Sequence, residues 1–282
     1  LNLSKSVLQP FENDYDPILD ISEDLDDSKA TFYQSVIGIL RWLFELGKVE
    51  VIIEVSLLAF FFACPHEEHL FAALITVKYI GQHHNAQIVF DSTYTTIDMS
   101  VFKDNENWES IYGHVQEALP DDMPEPRGLV VELRLYWESD HASNKLDRRS
   151  RTGFTIFLNS VSIVRYSKYQ SRVETSVFGA EFISLKTANE ALRGIRYRLR
   201  IMGAPIDGHT YCYGDNQSVI NNTSMPQSVL NKKCNAICYH AVRKAFAMGD
   251  ILTTHIKSEE NPSDLCTKVL MRIKKCSGKF VT

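Results

Sequence analysis

Apolar residues recur along this chain at two different periods. Between Thr31 and about Tyr79 the spacing is three to four: Phe32, Val36, Ile39, Leu40 and Leu43 predict a helix, with Ser28 placed to cap it. Pro65 predicts a second helix start, with Glu67 and Glu68 in its first turn. From Leu129 to Trp137 the period drops to two, with Leu133, Leu135 and Trp137 on one side. Phe154–Leu158 and Ser162–Tyr169 predict two further strands, and "DRRSRTG" (Asp147–Gly153) is a turn, so these three strands read as an antiparallel meander. A long helix follows over Ser176–Met202, with Gly203 after its end. Next come a strand at His209–Tyr213, a short helix at "NQSVINN", a helix over Lys232–Met248, a strand at Ile251–Ile256 and a last helix from Asn261. The order is β-β-β-α-β-α-α-β-α.

Between the two regimes, residues 91–127 are rich in Asp, Asn and Pro, and "PDDMPEPRG" reads as a linker. The expected organisation is an acidic lead-in (1–30), a helical segment (31–90), an irregular connection (91–127), an α/β unit (128–270) and a basic tail (271–282).

Composition narrows the class. A hydrophobic content of 44 % and a mean hydropathy of −0.16 suit a globular chain of 282 residues. The most apolar run, Val55–Cys64, is too short to span a bilayer and reads as a buried helix. No signal-peptide pattern is visible, and the six cysteines are scattered, which suits a reducing compartment. The expectation is therefore an intracellular protein, cytoplasmic or nuclear, with no membrane partner.

The net charge of −5 hides a strong asymmetry. Residues 1–28 carry eight acids and one Lys, and residues 91–127 carry nine acids and two bases. Residues 29–90 sum to −1, and residues 128–282 to +10. A basic block with a few embedded acids suits a polyanionic substrate beside a cation site, or else a merely solvated face.

Four acids fall where the predicted order would gather element ends at one rim: Glu138 after the first strand, Glu181 early in the long helix, Asp215 after the fourth strand, and Asp264 at the last helix. Asp140 follows Glu138 by two residues. Hard carboxylate oxygens can share divalent cations, and a pair of such ions serves phosphodiester cleavage. The plainer alternative is that each acid caps a helix or is solvated; Asp215 and Asp264 both precede helices. Other constellations are weaker. "PHEEH" (Pro65–His69) spaces its His residues three apart, one short of the zinc-protease motif, and reads as helix surface. "CNAICYH" (Cys234–His240) lacks a second ligand pair.

Several motifs together resemble a known family. "YQSVIGILRWLFELGKVEVIIEVSLLA" is similar to the segment after the polymerase palm in copia-type LTR retrotransposon polyproteins. "ESDHASNKLDRRSRTGF", "ETSVFGAEF", "YGDNQSV", "CYHAVRK" and "NPSDLCTKV" resemble, in the same order, the ribonuclease H motifs of those polyproteins. The resemblance runs from about residue 31 to 270. It implies a ribonuclease H-like mixed sheet with flanking helices, preceded by a helical segment. It further implies that Glu138, Glu181, Asp215 and Asp264 bind two Mg2+ ions, with Mn2+ as a substitute, and cleave the RNA strand of an RNA–DNA hybrid.

The chain departs from the family at position 138, where Asp is usual. The longer Glu displaces its carboxylate by roughly 1 Å, and Mg2+ tolerates little deviation; Asp140 is an alternative ligand. "RYSKYQ" and "KKCNAI" also depart, at expected substrate contacts. The polymerase signature, two adjacent Asp after Tyr and an apolar residue, does not occur; "DD" stands only at Asp26-Asp27 and Asp121-Asp122. The chain thus reads as the C-terminal part of a polyprotein whose partners are the upstream polymerase region and a nucleic acid, met by Arg148, Arg149, Arg151, Lys168, Lys232 and Lys233. The alternatives are a decayed fragment that keeps the fold and a nucleic-acid surface without chemistry, or an interaction module acting through residues 31–90.

Overall fold

The structure, a computed structural model, describes residues 6–11, 15–85, 88–102, 107–206, 208–230 and 233–269. Two apolar clusters organise it. The first belongs to a helical lobe made of α1 (Asp27–Leu46), α2 (Ile52–Ala59) and α3 (Glu67–Gln82). α1 starts earlier than the sequence suggests: the Lys29 N–H donates to the Asp26 carboxylate at 2.9 Å, so Asp26, not Ser28, is the cap. Its buried stripe is Tyr33, Val36, Ile37 and Leu40. Phe32 and Ile39, grouped with that face by spacing, lie beside it and are 51 % and 58 % exposed. The apolar run beginning at Val55 is buried only through its first turns. Val55, Leu57 and Leu58 are covered, whereas Phe60, Phe62 and Cys64 are exposed.

The second cluster fills a five-stranded mixed sheet. Its strands are β1 (Leu133–Asp140), β2 (Arg151–Leu158), β3 (Val161–Tyr169), β4 (Thr210–Gly214) and β5 (Ile251–His255). In space the order is β3-β2-β1-β4-β5. β1–β2–β3 form the expected antiparallel meander, whereas β4 and β5 run parallel to β1. Parallel neighbours need crossovers. These are α5 (Val177–Ile201) between β3 and β4, and α6 (Gln217–Ser224) with α7 (Ala236–Ala247) between β4 and β5. This is the ribonuclease H-like α/β arrangement that the motif order implies. β1 extends three residues beyond the predicted strand, so Glu138 and Asp140 lie within it. The expected last helix is, over the described residues, a 3-10 turn at Pro262–Cys266.

Residues 91–127 do more than connect. α4 (Glu109–Tyr112) lies here, and Phe102 and Trp108, 9 % and 5 % exposed, join the sheet-lobe core. The lobes touch along the β3 edge, where Ser56 Oγ donates to the Ser167 carbonyl at 2.9 Å and Phe60 packs edge-on against Tyr169. Arg151 seals this seam. Its guanidinium donates to Ser56 and Ser167 and lies 4.0 Å from the Tyr169 ring centroid. At 1 % exposure it is not a phosphate contact, which corrects the expectation from "DRRSRTG". The seam consumes the charge that the sequence pattern assigns to the surface. The expected basic tail, 271–282, lies outside the described residues. No helix among the described residues is long and apolar enough to cross a membrane.

Candidate functional site

The parallel pairing of β1 with β4 brings their C-terminal ends to one rim. Glu138 lies in the last residues of β1, two before its end at Asp140, and Asp215 follows Gly214 directly. Gly214 is needed for this approach, because a Cβ at that position would collide with the Trp137 indole. Ser176 caps α5, accepting from the Gly179 N–H at 3.2 Å. Further along the helix Ser184 Oγ donates to the Glu138 carbonyl at 2.6 Å, and Glu181 Oε1 accepts the Ser139 N–H at 3.0 Å. The helix is thereby tied to β1 with Glu181 turned into the rim.

The fourth acid arrives on the 3-10 turn. Gly153 pairs with Glu138 across β1–β2, and a Cβ at Gly153 would clash with Thr267 and lie 2.9 Å from Cys266 Cβ. Only glycine lets this turn settle on the sheet beside Glu138. Asn261 pins it, donating from Nδ2 to the Trp137 carbonyl at 3.0 Å while its Oδ1 accepts from Ser263 N–H. Asn261 is also the cap of this turn, and Asn216, accepting from Val219 N–H, is the cap of α6. Neither Asp264, which lies inside the turn, nor Asp215 is a cap, which removes the capping half of the plainer reading of those two acids.

The result is a cleft of about 510 Å³ lined by Glu138, Asp140, His141, Glu181, Asp215 and Lys268 among others. Asp264 stands at its edge, bonded to the same Lys268 ammonium as Glu138. Glu138 and Glu181 are each 3 % exposed, and each has one buried carboxylate oxygen, Oε2, with no hydrogen-bond partner. Burial pushes Glu138 up to about 8, reinforced by Asp264 and opposed by Lys268. Burial likewise raises Glu181, helped by the charges of Asp215 and Glu138. Asp140 is also raised by burial. Carboxylates crowded together without enough cations behave in this way. The donor set is all hard oxygen, and two buried oxygens lack a partner; both features fit a divalent cation such as Mg2+. Glu138, Glu181, Asp215 and Asp264 are the residues that would hold it, and among the described residues no three of them bring one ligand oxygen each within 4.8 Å of one another. Lys268 was not singled out from sequence, although its place four residues after Asp264 puts the two on one side of a turn.

The other sites expected from sequence come out differently. Arg148, Lys168 and Lys233 are exposed, and Arg149 is half-buried against Asp147 and the Phe60 ring. Lys232 lies outside the described residues. His69 is not on a helix surface but fully buried. Together with Asp20 and His66 it forms the one group of three His, Cys, Asp or Glu residues among the described residues whose ligand atoms all lie within 4.8 Å of one another. However, His69 Nδ1 accepts the His66 N–H at 3.0 Å, so Nε2 carries the proton and donates to the Pro17 carbonyl at 2.9 Å. Both ring nitrogens are engaged, which leaves no lone pair for a metal. Around Cys234 the groups diverge as well: Arg172 donates to Cys238 Sγ, and His240 Nδ1 bonds the Tyr112 hydroxyl.

Comparison with protein-family models finds no match. Among curated proteins, the retrovirus-related Pol polyprotein from transposon RE1 of Arabidopsis thaliana is 23 % identical over 242 residues, 86 % of this chain and 14 % of the relative. The corresponding polyprotein from transposon TNT 1-94 of Nicotiana tabacum is 27 % identical over 143 residues, 50 % of this chain and 11 % of the relative. This chain thus spans only a small part of the length of the curated relatives it matches. Similar solved structures include LC11-RNase H1 in complex with an RNA/DNA hybrid (TM-score 0.39, 15 % identity, 48 % of this chain and 93 % of that one). Another is RNase H1 from Halobacterium salinarum (TM-score 0.37, 15 % identity, 47 % of this chain and 90 % of that one).

Proposed function

We propose that the α/β unit is a ribonuclease H-type endonuclease that cleaves the RNA strand of RNA–DNA hybrids. The observation that carries this reading is the unmet demand of the cleft: two buried glutamates with unpartnered oxygens and raised pKa values, gathered with Asp215 on a ribonuclease H-like sheet, with Asp264 joined to Glu138 through Lys268. The motif order and the transposon polyprotein relatives support the same reading. Divalent ions bound at such a set supply an activated water and neutralise charge on the leaving oxygen in phosphodiester hydrolysis.

The chain's own residues hold the acids in place for this. The Ser139 N–H fixes Glu181 through Oε1 and leaves Oε2 free to face the cleft. Ser258 Oγ donates to Asp215 Oδ2 at 2.6 Å and orients that carboxylate from outside. The Asn261 bond to Trp137 keeps Asp264 level with the end of β1. Glu138 is the weak member: its longer side chain stands where the resembled family has Asp, so the site works below the rate of an Asp-containing one. The exposed Arg148, Lys168 and Lys233 are the cations available for hybrid phosphates, with Arg149 as a partly committed neighbour.

A second reading is an inactive polyprotein fragment that still binds nucleic acid. It is favoured by the same Glu138 and by the Lys268 ammonium seated between Glu138 and Asp264. Incubating the purified chain with an end-labelled RNA–DNA hybrid in Mg2+ and, separately, in Mn2+ decides between them. Cleavage of the RNA strand that is lost in Asp215→Asn supports the enzyme. No cleavage in either metal, with hybrid binding retained, supports the fragment.

A further inference from the structure

Lys268 is the one basic side chain lining the cleft besides His141. Its Nζ lies 2.6 Å from Glu138 Oε1 and 2.5 Å from Asp264 Oδ1. The turn sets this placement, since the Lys268 N–H donates to the Asp264 carbonyl at 2.9 Å and puts both side chains on one side. We propose that Lys268 is an intramolecular competitor for the cation site: its ammonium takes the place between Glu138 and Asp264 in the metal-free protein and must leave before a divalent ion can use those carboxylates. This inference rests on the metal-site reading given above.

Three observations carry it. First, the two cations need the same oxygens. An ammonium bonds carboxylates at about 2.7–2.9 Å, whereas Mg2+ needs about 2.0–2.1 Å, so both cannot be seated between one pair of carboxylates. Second, the lysine satisfies the cleft only in part. It reaches Glu138 Oε1 and Asp264 Oδ1, while Glu138 Oε2 and Glu181 Oε2 stay buried without a partner. Those two oxygens are capacity that the ammonium does not meet and a divalent ion could. Third, the lysine has a way out. Its side chain is 49 % exposed, against 4 % for Glu138 and 15 % for Asp264, so its flexible stem can carry the ammonium into water while both acids stay. The expected consequence is a metal-free fold stabilised by Lys268 and a divalent affinity lowered by the fraction of time that Lys268 occupies the site.

The test uses the whole chain without nucleic acid, with Mn2+ as the probe. Free Mn2+ is followed by electron paramagnetic resonance for wild type, Lys268→Met and Lys268→Arg. Lys268→Met is expected to bind Mn2+ about tenfold more tightly, as a site blocked nine-tenths of the time requires. In chelator its thermal midpoint should fall, and Lys268→Arg should keep both wild-type values. Equal or weaker Mn2+ binding by folded Lys268→Met overturns the proposal while leaving the metal site itself standing. Should Lys268→Met fail to fold by circular dichroism, Lys268→Gln is judged by the same criterion. Absence of Mn2+ binding in every variant at millimolar concentration overturns the metal reading and this inference together. Binding that survives Asp215→Asn in the Lys268→Met background puts the ion outside the cleft and also overturns the proposal.

Discussion

Asp20 in the helical lobe and Glu138 in the sheet lobe are both buried carboxylates beside a basic side chain, yet their surroundings treat them in opposite ways. Asp20 Oδ1 accepts the Ser22 N–H at 2.8 Å, its Oδ2 accepts the Tyr15 hydroxyl at 3.2 Å, and His69 lies 3.5 Å away. Burial pushes Asp20 up, but these partners outweigh it and hold it below the ordinary carboxylate range. Around Glu138 the balance is reversed: burial and Asp264 outweigh Lys268 and push it up to about 8. At Asp20 and His69 the pairing is complete: both Asp20 oxygens and both His69 ring nitrogens have a partner. The cluster at Glu138 is short of positive charge. The comparison teaches that convergence of acids and histidines is not by itself a site; unmet hydrogen-bonding capacity is what separates a binding cleft from a polar piece of core.

The sharpest way to break this contrast is to remove one acid from each cluster. Asp215→Asn should lower hybrid cleavage by more than the roughly 100-fold that loss of an outer supporting group of a metal site costs, without changing the circular dichroism spectrum. Asp20→Asn should instead leave cleavage by the folded protein within about twofold and cost about 1–3 kcal/mol of stability in urea denaturation, because it leaves a buried donor unmatched. A cleavage defect in Asp20→Asn at full folding would show that the two clusters are not functionally separate.

Next in size is Glu138→Asp. Shortening the side chain should move the carboxylate back by about 1 Å and raise the Mg2+-supported cleavage rate by about tenfold or more, measured as initial rate on a labelled hybrid. Rates that stay unchanged in both Mg2+ and Mn2+ would remove Glu138 from the ligand set and point to Asp140.

The two clusters should also respond to pH with opposite sign. His69 is held below its usual 6.5 by burial, so the unfolded chain takes up that proton first and stability falls as the pH drops through about 6.5. Glu138 keeps its proton in the metal-free folded state up to about 8, whereas the unfolded chain loses it near 4.5. Its contribution therefore fades as the pH rises between those values and is lost above about 8. Denaturation midpoints measured in chelator from pH 5 to 9 should accordingly flatten on the alkaline side in Glu138→Gln and keep their acid-side fall. An unchanged alkaline slope in that variant would contradict the assignment to Glu138.

The smallest effect concerns the surface. Hybrid affinity should fall with rising salt, and neutralising Arg148, Lys168 or Lys233 singly should reduce the slope of log affinity against log salt by about 1 each. Arg151→Gln should leave that slope alone and destabilise the seam between the lobes. A reduced slope for Arg151→Gln would restore it to the nucleic-acid surface.

Local pattern carried a great deal of this molecule. The alternation through Leu133, Leu135 and Trp137 located β1, and the 3.6-residue period with Ser176 before it located α5, because burial on one face imposes those periods whatever lies opposite. The relative order of the four acids was equally legible. Their convergence required the parallel β1–β4 pairing, which no local period encodes, and it required Gly153 and Gly214, whose missing side chains matter only once Cys266 and Trp137 pack against them. Charge was the least legible property. Arg151 and Arg149 are near neighbours in one basic run, but Arg151 is spent inside the seam, donating to a serine that lies 95 residues earlier. His69 and Lys268 were likewise passed over, because their partners come from other elements or from a turn formed only against the sheet. What the chain determined alone is what depends on neighbours three or four residues away; what the tertiary structure decided is which charged groups meet a partner, since desolvation and pairing depend on residues that only folding brings together.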